Sequence, residues 1–174
     1  MCGLSGFFTF HSSVSNNGQF LNAMAAAITH RGPDDSGSWH DVQTGIGLAH
    51  TRLSIVDLSP AGHQPMHSAR DRYVIAFNGE VYNHLALRQQ LETERQAPAW
   101  RGHSDTETLL ACFAAWGIEQ TLQATVGMFA IALWDKQERV LTLARDRMGE
   151  KPLYWGWCGD TLLFGSELKA LKAH

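Results

Sequence analysis

The segment Gly3-Leu4-Ser5-Gly6-Phe7-Phe8-Thr9-Phe10 constrains this chain most, because it is dense in apolar and aromatic residues, fits no helical period and begins at the third residue. It reads as a buried strand, so the N-terminus is anchored in the core. The rest of the pattern must close around it. Residues 19 to 29 set Phe20, Met24, Ala27 and Ile28 at helical spacing after the turn residues Asn16-Asn17-Gly18, and the loop from His30 to Gly37 ends that helix. Apolar runs at 45 to 50, 53 to 58 and 73 to 77 read as strands, the last two separated by Ser59-Pro60-Ala61-Gly62-His63-Gln64-Pro65 with its turn chemistry.

Helical spacing returns at 82 to 92 and at 105 to 116, the second helix opening on Asp105 and Glu107. From residue 128 the chain turns to hairpins, 128 to 134 with 139 to 145 and 152 to 157 with 161 to 165, each pair expected antiparallel. A short helix follows between Ser166 and His174. Strands from both ends of the chain with helices clustered between them imply an α+β layered fold. With 174 residues, 44% apolar and 18% charged, this is expected to be one domain.

Charge and cysteine usage exclude several functional classes. Fourteen basic against seventeen acidic residues leave a formal charge of −3, which offers no basic excess for nucleic acid or anionic lipid. No apolar stretch reaches the roughly 18 residues of a membrane span, and the first 30 residues hold no Lys or Arg to open a signal peptide. A cytoplasmic location is expected. Cysteines at 2, 112 and 158 are odd in number and form no C-x-x-C pair, so neither a disulfide framework nor a zinc ribbon is indicated. His63 and His67 flank Pro65 in a loop, which denies them the helical geometry of a zinc protease, and no metal is expected.

Cys2 is the most informative residue. Removal of Met1 would leave one residue carrying both a thiol and a free α-amine, groups that ordinarily titrate at about 8.5 and about 8, close enough for cheap proton exchange near neutral pH. Its small side chain is also what methionine removal requires. The bland alternative is a cysteine that merely starts a strand. Cys112, on an apolar helix face, and Cys158, near a hairpin tip, have no base in their local sequence and read as packing or surface residues.

Met1-Cys2-Gly3, Arg31-Gly32-Pro33-Asp34, Arg52-Leu53-Ser54-Ile55-Val56-Asp57, Asn78-Gly79-Glu80-Val81-Tyr82-Asn83 and Ser104-Asp105-Thr106-Glu107 occur in that order. Gly127-Met128-Phe129-Ala130, Arg145-Asp146-Arg147-Met148-Gly149 and Ser166-Glu167-Leu168-Lys169-Ala170-Leu171 continue the series. Over its whole length the chain resembles the class II glutamine amidotransferases, and more narrowly the glutaminase domain of glutamine-hydrolysing asparagine synthetases of the bacterial B type and related amidotransferases of polysaccharide gene clusters. The sugar-phosphate and purine amidotransferases share the nucleophile but do not normally carry the Arg52 to Asp57 run in this form. The resemblance implies the N-terminal nucleophile hydrolase fold, a four-layer αββα sandwich with two antiparallel sheets.

The same resemblance implies roles. Cys2 attacks the side-chain amide of L-glutamine, and the Asn78 side-chain amide with the Gly79 N–H forms the oxyanion hole, each donor worth roughly 10² to 10³ in rate. Arg52 takes the α-carboxylate, and Asp105 takes the α-ammonium with Glu80 assisting. The backbone carbonyls of Ile55 and Val56 line the pocket. Blander uses stay open at this point: Asn-Gly is a common hairpin turn, Arg52 could be a strand-edge surface charge, and Asp105 could cap its helix.

No cofactor is implied for residues 1–174. ATP and Mg belong, by resemblance, to a synthetase domain with a Ser-Gly-Gly-x-Asp-Ser loop, which is absent from these residues. The expected partner is therefore a synthetase domain or subunit receiving ammonia, and a homodimer is left open. The rival class is a catalytically silent binding or regulatory module of the same fold. The charged run Arg145 to Lys151 lacks a glycine-rich loop opening a helix and is not read as a phosphate site.

Overall fold

In the computed structural model, residues 1–10, 17–54 and 59–174 are described. A five-stranded antiparallel sheet has the order β2 (Asp35–Asp41), β3 (Ile46–Arg52), β1 (Gly3–Thr9), β9 (Thr161–Gly165), β8 (Tyr154–Cys158). A four-stranded antiparallel sheet has the order β4 (Met66–His67), β5 (Tyr73–Val81), β6 (Gly127–Asp135), β7 (Val140–Arg145). Helices α1 (Asn17–Ala26) and α5 (Leu168–Lys172) pack on the first sheet; α2 (His84–Thr93), α3 (Asp105–Trp116) and α4 (Ile118–Ala124) cover the second. The helix, sheet, sheet, helix order is the expected αββα sandwich.

Strand alternation builds this layering. Side chains two apart share a face of a strand. On β5, Val74 and Ala76 join Leu4, Ile46, Leu48, Ala130, Ala132, Trp134 and Phe164 in the core between the sheets. Tyr73, Ile75 and Phe77 face the other way, into a core with Leu87, Leu91, Leu109, Leu110 and Phe113 from α2 and α3. The third core joins Phe7, Ala49 and Leu163 to Leu21 and Met24 of α1. Each buried Leu or Phe contributes roughly 1.5 to 3 kcal/mol, and three such layers hold the sheets in register.

The first strand is indeed central. β1 pairs with β3 on one side, Gly3 opposite Thr51, and with β9 on the other, Ser5 opposite Gly165. Beyond the ladder, Ser166 donates its N–H to the Leu4 carbonyl at 2.8 Å and accepts the Leu4 N–H on its hydroxyl at 3.0 Å.

The structure corrects several expectations. The strand expected at 53–58 is not seen at Leu53 and Ser54, and 55–58 lie outside the described residues. β3 instead runs on to Arg52 under the pull of β1 and β2. The loop expected from His30 to Gly37 contains a 3-10 turn at Thr29–Arg31 and the start of β2. β2 escapes notice because Asp-Ser-Gly-Ser-Trp-His-Asp carries one apolar side chain, enough for a half-buried edge strand but not for an apolar period. Helix α4 was not expected either; it follows Gly117, whose φ of +79° ends α3. Asn78-Gly79 is no turn, since β5 continues through it to Val81, paired with β6.

Candidate active site

Cys2 precedes the central strand of one sheet, Arg52 ends its neighbour β3, and Asn78, Gly79 and Glu80 lie near the end of β5 in the facing sheet. Asp105 opens α3. These six residues line one cavity of about 170 Å³, together with Gln64 and Lys151. Ile55 and Val56 lie outside the described residues. A larger groove of about 360 Å³, lined by Arg70, Arg95 and Arg101 beyond α3, has no cysteine among its described lining residues, so size does not locate the chemistry.

The thiol of Cys2 is half-buried and held on both sides by one residue: it donates to the Leu53 carbonyl at 3.6 Å and accepts the Leu53 N–H at 3.4 Å. Arg31 fixes the backbone, donating from Nε to the Cys2 carbonyl at 2.9 Å and from Nη1 to Glu167 at 3.0 Å. Burial alone would raise the Glu167 carboxyl, but hydrogen bonds from Arg31, Lys169 and His30 overcome this and bring it to about 2. The other cysteines are no rivals. Burial pushes the Cys112 thiol up to about 12, and Cys158 is exposed on β8.

The edge of β5 remote from β6 explains why Asn78 and Gly79 stand ready. Alternate N–H groups of a strand point the same way, and the Tyr82 N–H bonded to the Val126 carbonyl shows that the even-numbered ones face β6. The odd-numbered ones face outward. Tyr73 donates to Ser68 Oγ, Phe77 to Gln64 Oε1 at 2.7 Å, and Val81 to Asp105 Oδ2 at 2.9 Å. Between the last two, the Gly79 N–H faces the cavity. The neighbouring Asn78 is 1% exposed, and its Nδ2 has no hydrogen-bond partner among the described residues. A buried donor without an acceptor is costly, and here two adjoining groups can serve one missing oxygen.

Two opposite charges flank these donors. Arg52 is buried, and its Nη1 donates to the Ser59 carbonyl at 3.1 Å. It is therefore no surface charge. Gly62 makes room for it: a Cβ there would lie 2.1 Å from Arg52 Nη2. Asp105 is not the cap of α3, since Ser104 occupies that position and accepts the Glu107 N–H at 3.2 Å. Asp105 is buried, and burial raises its carboxyl above the usual range although the Val81 N–H opposes the shift. Glu80 stands exposed at the rim.

The remaining motifs brace this geometry. Asp34 accepts the Ser54 N–H at 2.9 Å and donates its own N–H to the Arg52 carbonyl, while a Cβ on Gly32 would lie 2.4 Å from the Arg52 nitrogen. The Glu107 carboxylate gathers the Arg101 and Gly102 N–H groups and Arg88. In the Arg145 to Lys151 run, Asp146 accepts N–H groups from Phe129, Met148, Glu150 and Lys151, so its carboxylate ties that loop to β6. Sequence reasoning passed over Gln64, Arg31 and Lys151. Only the Arg31 motif gave a signal; Gln64 lay in a run read as a turn, and Lys151 in one set aside.

A family profile described as "Glutamine amidotransferase domain" matches residues 1–174. Asparagine synthetase [glutamine-hydrolyzing] 3 of Bacillus subtilis is 39% identical across 100% of this chain, which spans 28% of that protein. A putative asparagine synthetase [glutamine-hydrolyzing] 2 of Methanocaldococcus jannaschii is 35% identical, over 99% of this chain and 35% of its own length. The chain thus spans about a quarter to a third of such relatives. The solved structure of glutamine phosphoribosylpyrophosphate amidotransferase from B. subtilis superposes with a TM-score of 0.80 at 20% identity, covering 99% of this chain and 43% of that one, and so shares its fold. With the αββα sandwich and a profile match from end to end, the chain belongs to the glutamine amidotransferase domain family.

Proposed function

We propose that this chain hydrolyses L-glutamine to glutamate and ammonia through a thioester on Cys2, as the ammonia-supplying part of an asparagine synthetase-like amidotransferase. The observation that carries the reading is that Asn78, whose Nδ2 has no partner among the described residues, and Gly79, on the β5 edge remote from β6, line the cavity that Cys2 lines. In the mature form Met1 is removed and the α-amine of Cys2 is free. That amine takes the thiol proton as sulfur attacks the side-chain carboxamide carbon of glutamine. The carbonyl oxygen gains negative charge, and the two N–H groups donate to it without reorganising. As the tetrahedral species collapses, the C–N bond breaks and the amine returns its proton to the departing ammonia. Water then adds to the γ-glutamyl thioester, the C–S bond breaks, and glutamate and the free thiol are restored.

Free glutamine carries two charges that must be desolvated on binding, and Arg52 and Asp105 supply buried partners of opposite sign, with Glu80 at the rim and the Ile55 and Val56 carbonyls completing the pocket. Asp105 suits an ammonium because its raised carboxyl gains most when a cation arrives. Ammonia then passes to a synthetase domain or subunit that binds ATP and Mg and activates aspartate or another carboxylate, in the cytoplasm. The test is glutamate release by protein lacking Met1. Cys2→Ala should abolish it, and equal rates in the two proteins would eliminate the thioester route.

A further inference from the structure

Phe77 lies immediately before the two oxyanion donors on β5, and both of its backbone polar groups are held by side chains instead of by a neighbouring strand. The β4 and β5 register sets Met66 opposite Ile75 and His67 opposite Val74, so its continuation would set Gln64 opposite Phe77. Pro65 has no N–H and the ladder stops at Met66. In its place the Gln64 side chain accepts the Phe77 N–H on Oε1 at 2.7 Å, while Gln64 Nε2 reaches Thr106 Oγ1 of α3 at 3.4 Å.

From the facing sheet, His50 of β3 puts Nε2 2.9 Å from the Phe77 carbonyl. A carbonyl only accepts, so Nε2 carries the proton, and Nδ1 has no partner among the described residues. Burial holds His50 down at about 4, so the imidazole is neutral wherever the protein is folded near neutral pH. Gln64 is 6% exposed and His50 1%. Neither has an assigned role in the thioester reaction.

We propose that Gln64 and His50 are positioning residues for the glutaminase reaction: by gripping both polar groups of Phe77 they fix the direction in which the Gly79 N–H and the Asn78 side chain enter the Cys2 cavity. This rests on the glutaminase reading of that cavity. Gly79 N–H has no strand neighbour to steady it, and the grip one residue pair upstream does that work, with Asp105 on Val81 holding the other side. His50 also sits two residues from Arg52 on β3, so the strand that carries the cationic site is tied to the strand that carries the oxyanion donors.

The test uses protein lacking Met1 with Gln64→Met, which keeps side-chain length and removes the acceptor, and with His50→Phe and His50→Gln, of which only the second retains an N–H donor. Cooperative thermal unfolding establishes that each variant is folded. Turnover of glutamine is measured alongside inhibition by L-glutamate γ-semialdehyde. The Cys2 sulfur adds to the aldehyde carbon of this probe and the thiol proton passes to its oxygen, giving a tetrahedral adduct whose oxygen sits between the two donors. Gln64→Met and His50→Phe should lower kcat by about tenfold or more, with KM for glutamine within about twofold, and should weaken semialdehyde inhibition by the same factor. Product inhibition by glutamate should be unchanged, and His50→Gln should recover most of the loss. Folded variants matching the parent in kcat and in semialdehyde inhibition would overturn the positioning role while leaving the glutaminase reading intact. A parent protein that neither turns over glutamine nor binds the aldehyde at Cys2 would overturn both.

Discussion

Asp105 accepts the Val81 N–H at 2.9 Å, and this one contact fastens the first turn of α3 to the strand that carries Asn78 and Gly79. A single carboxylate therefore has a structural task, holding the Val81 N–H, and a place in the lining of the Cys2 cavity. The two tasks can be separated by substitution.

Asp105→Asn keeps an oxygen acceptor for Val81 and removes the charge. Loss of a charge-assisted contact worth about 1.5 to 3 kcal/mol should raise KM for glutamine roughly tenfold to a hundredfold. Stability should move the other way. Because burial raises the folded-state value above 3.8, the stability tied to this group is fully present below 3.8 and declines as the pH rises through the folded-state value. At pH 7 the asparagine variant should have a Tm equal to or above the parent's, with the gap closing as pH falls toward 3.8. A clearly lower Tm at pH 7 would contradict this sign.

Gly79→Ala should lower kcat by about 10² to 10³ without a matching change in KM. The added Cβ would lie 2.3 Å from the Met128 carbonyl oxygen and 2.8 Å from Phe129 Cα, so β5 must shift and carry its N–H with it. Overpacking of this kind costs about 1 to 3 kcal/mol, which denaturant unfolding would register.

Gly62→Ala tests the cationic wall without touching it chemically. A Cβ at that position displaces the Arg52 guanidinium from its seat, so KM for glutamine should rise about tenfold while kcat holds within about threefold. Unchanged KM would remove Arg52 from carboxylate binding.

Glu167→Gln should loosen the anchorage of Arg31, and through it the Cys2 backbone. The Glu167 carboxyl is depressed from 4.5 to about 2, so the stability it contributes is present above 4.5 and is lost as pH falls from there through about 2. The parent should therefore be more stable than the glutamine variant at pH 6, and the two should converge below about pH 2. Tm measured across that range decides it.

The long strands and α3 were legible because their apolar residues repeat with a clean period, as at Tyr73 to Phe77 and at Leu109, Leu110 and Phe113. What stayed hidden was tertiary in origin. β2 exists because β3 offers it a partner, and its own Asp, Ser and His residues carry no apolar rhythm. Asn78-Gly79 has the local chemistry of a turn, yet pairing with β6 overrides that preference and keeps it extended. Six of the eight site residues expected from the sequence line one cavity, since ordered motifs mark them without reference to periodicity. Gln64 was illegible because its role exists only once β4 breaks off beside Phe77, a relation between segments that no local pattern encodes.

β1 lies between β3 and β9, and the Leu4 backbone closes on Ser166. The strand that follows Cys2 is consequently completed by two partners, β3 and β9, that lie far apart along the chain. Contacts of such long sequence separation form late in folding, so the surroundings of the Cys2 sulfur are completed only when the β9 segment docks beside β1.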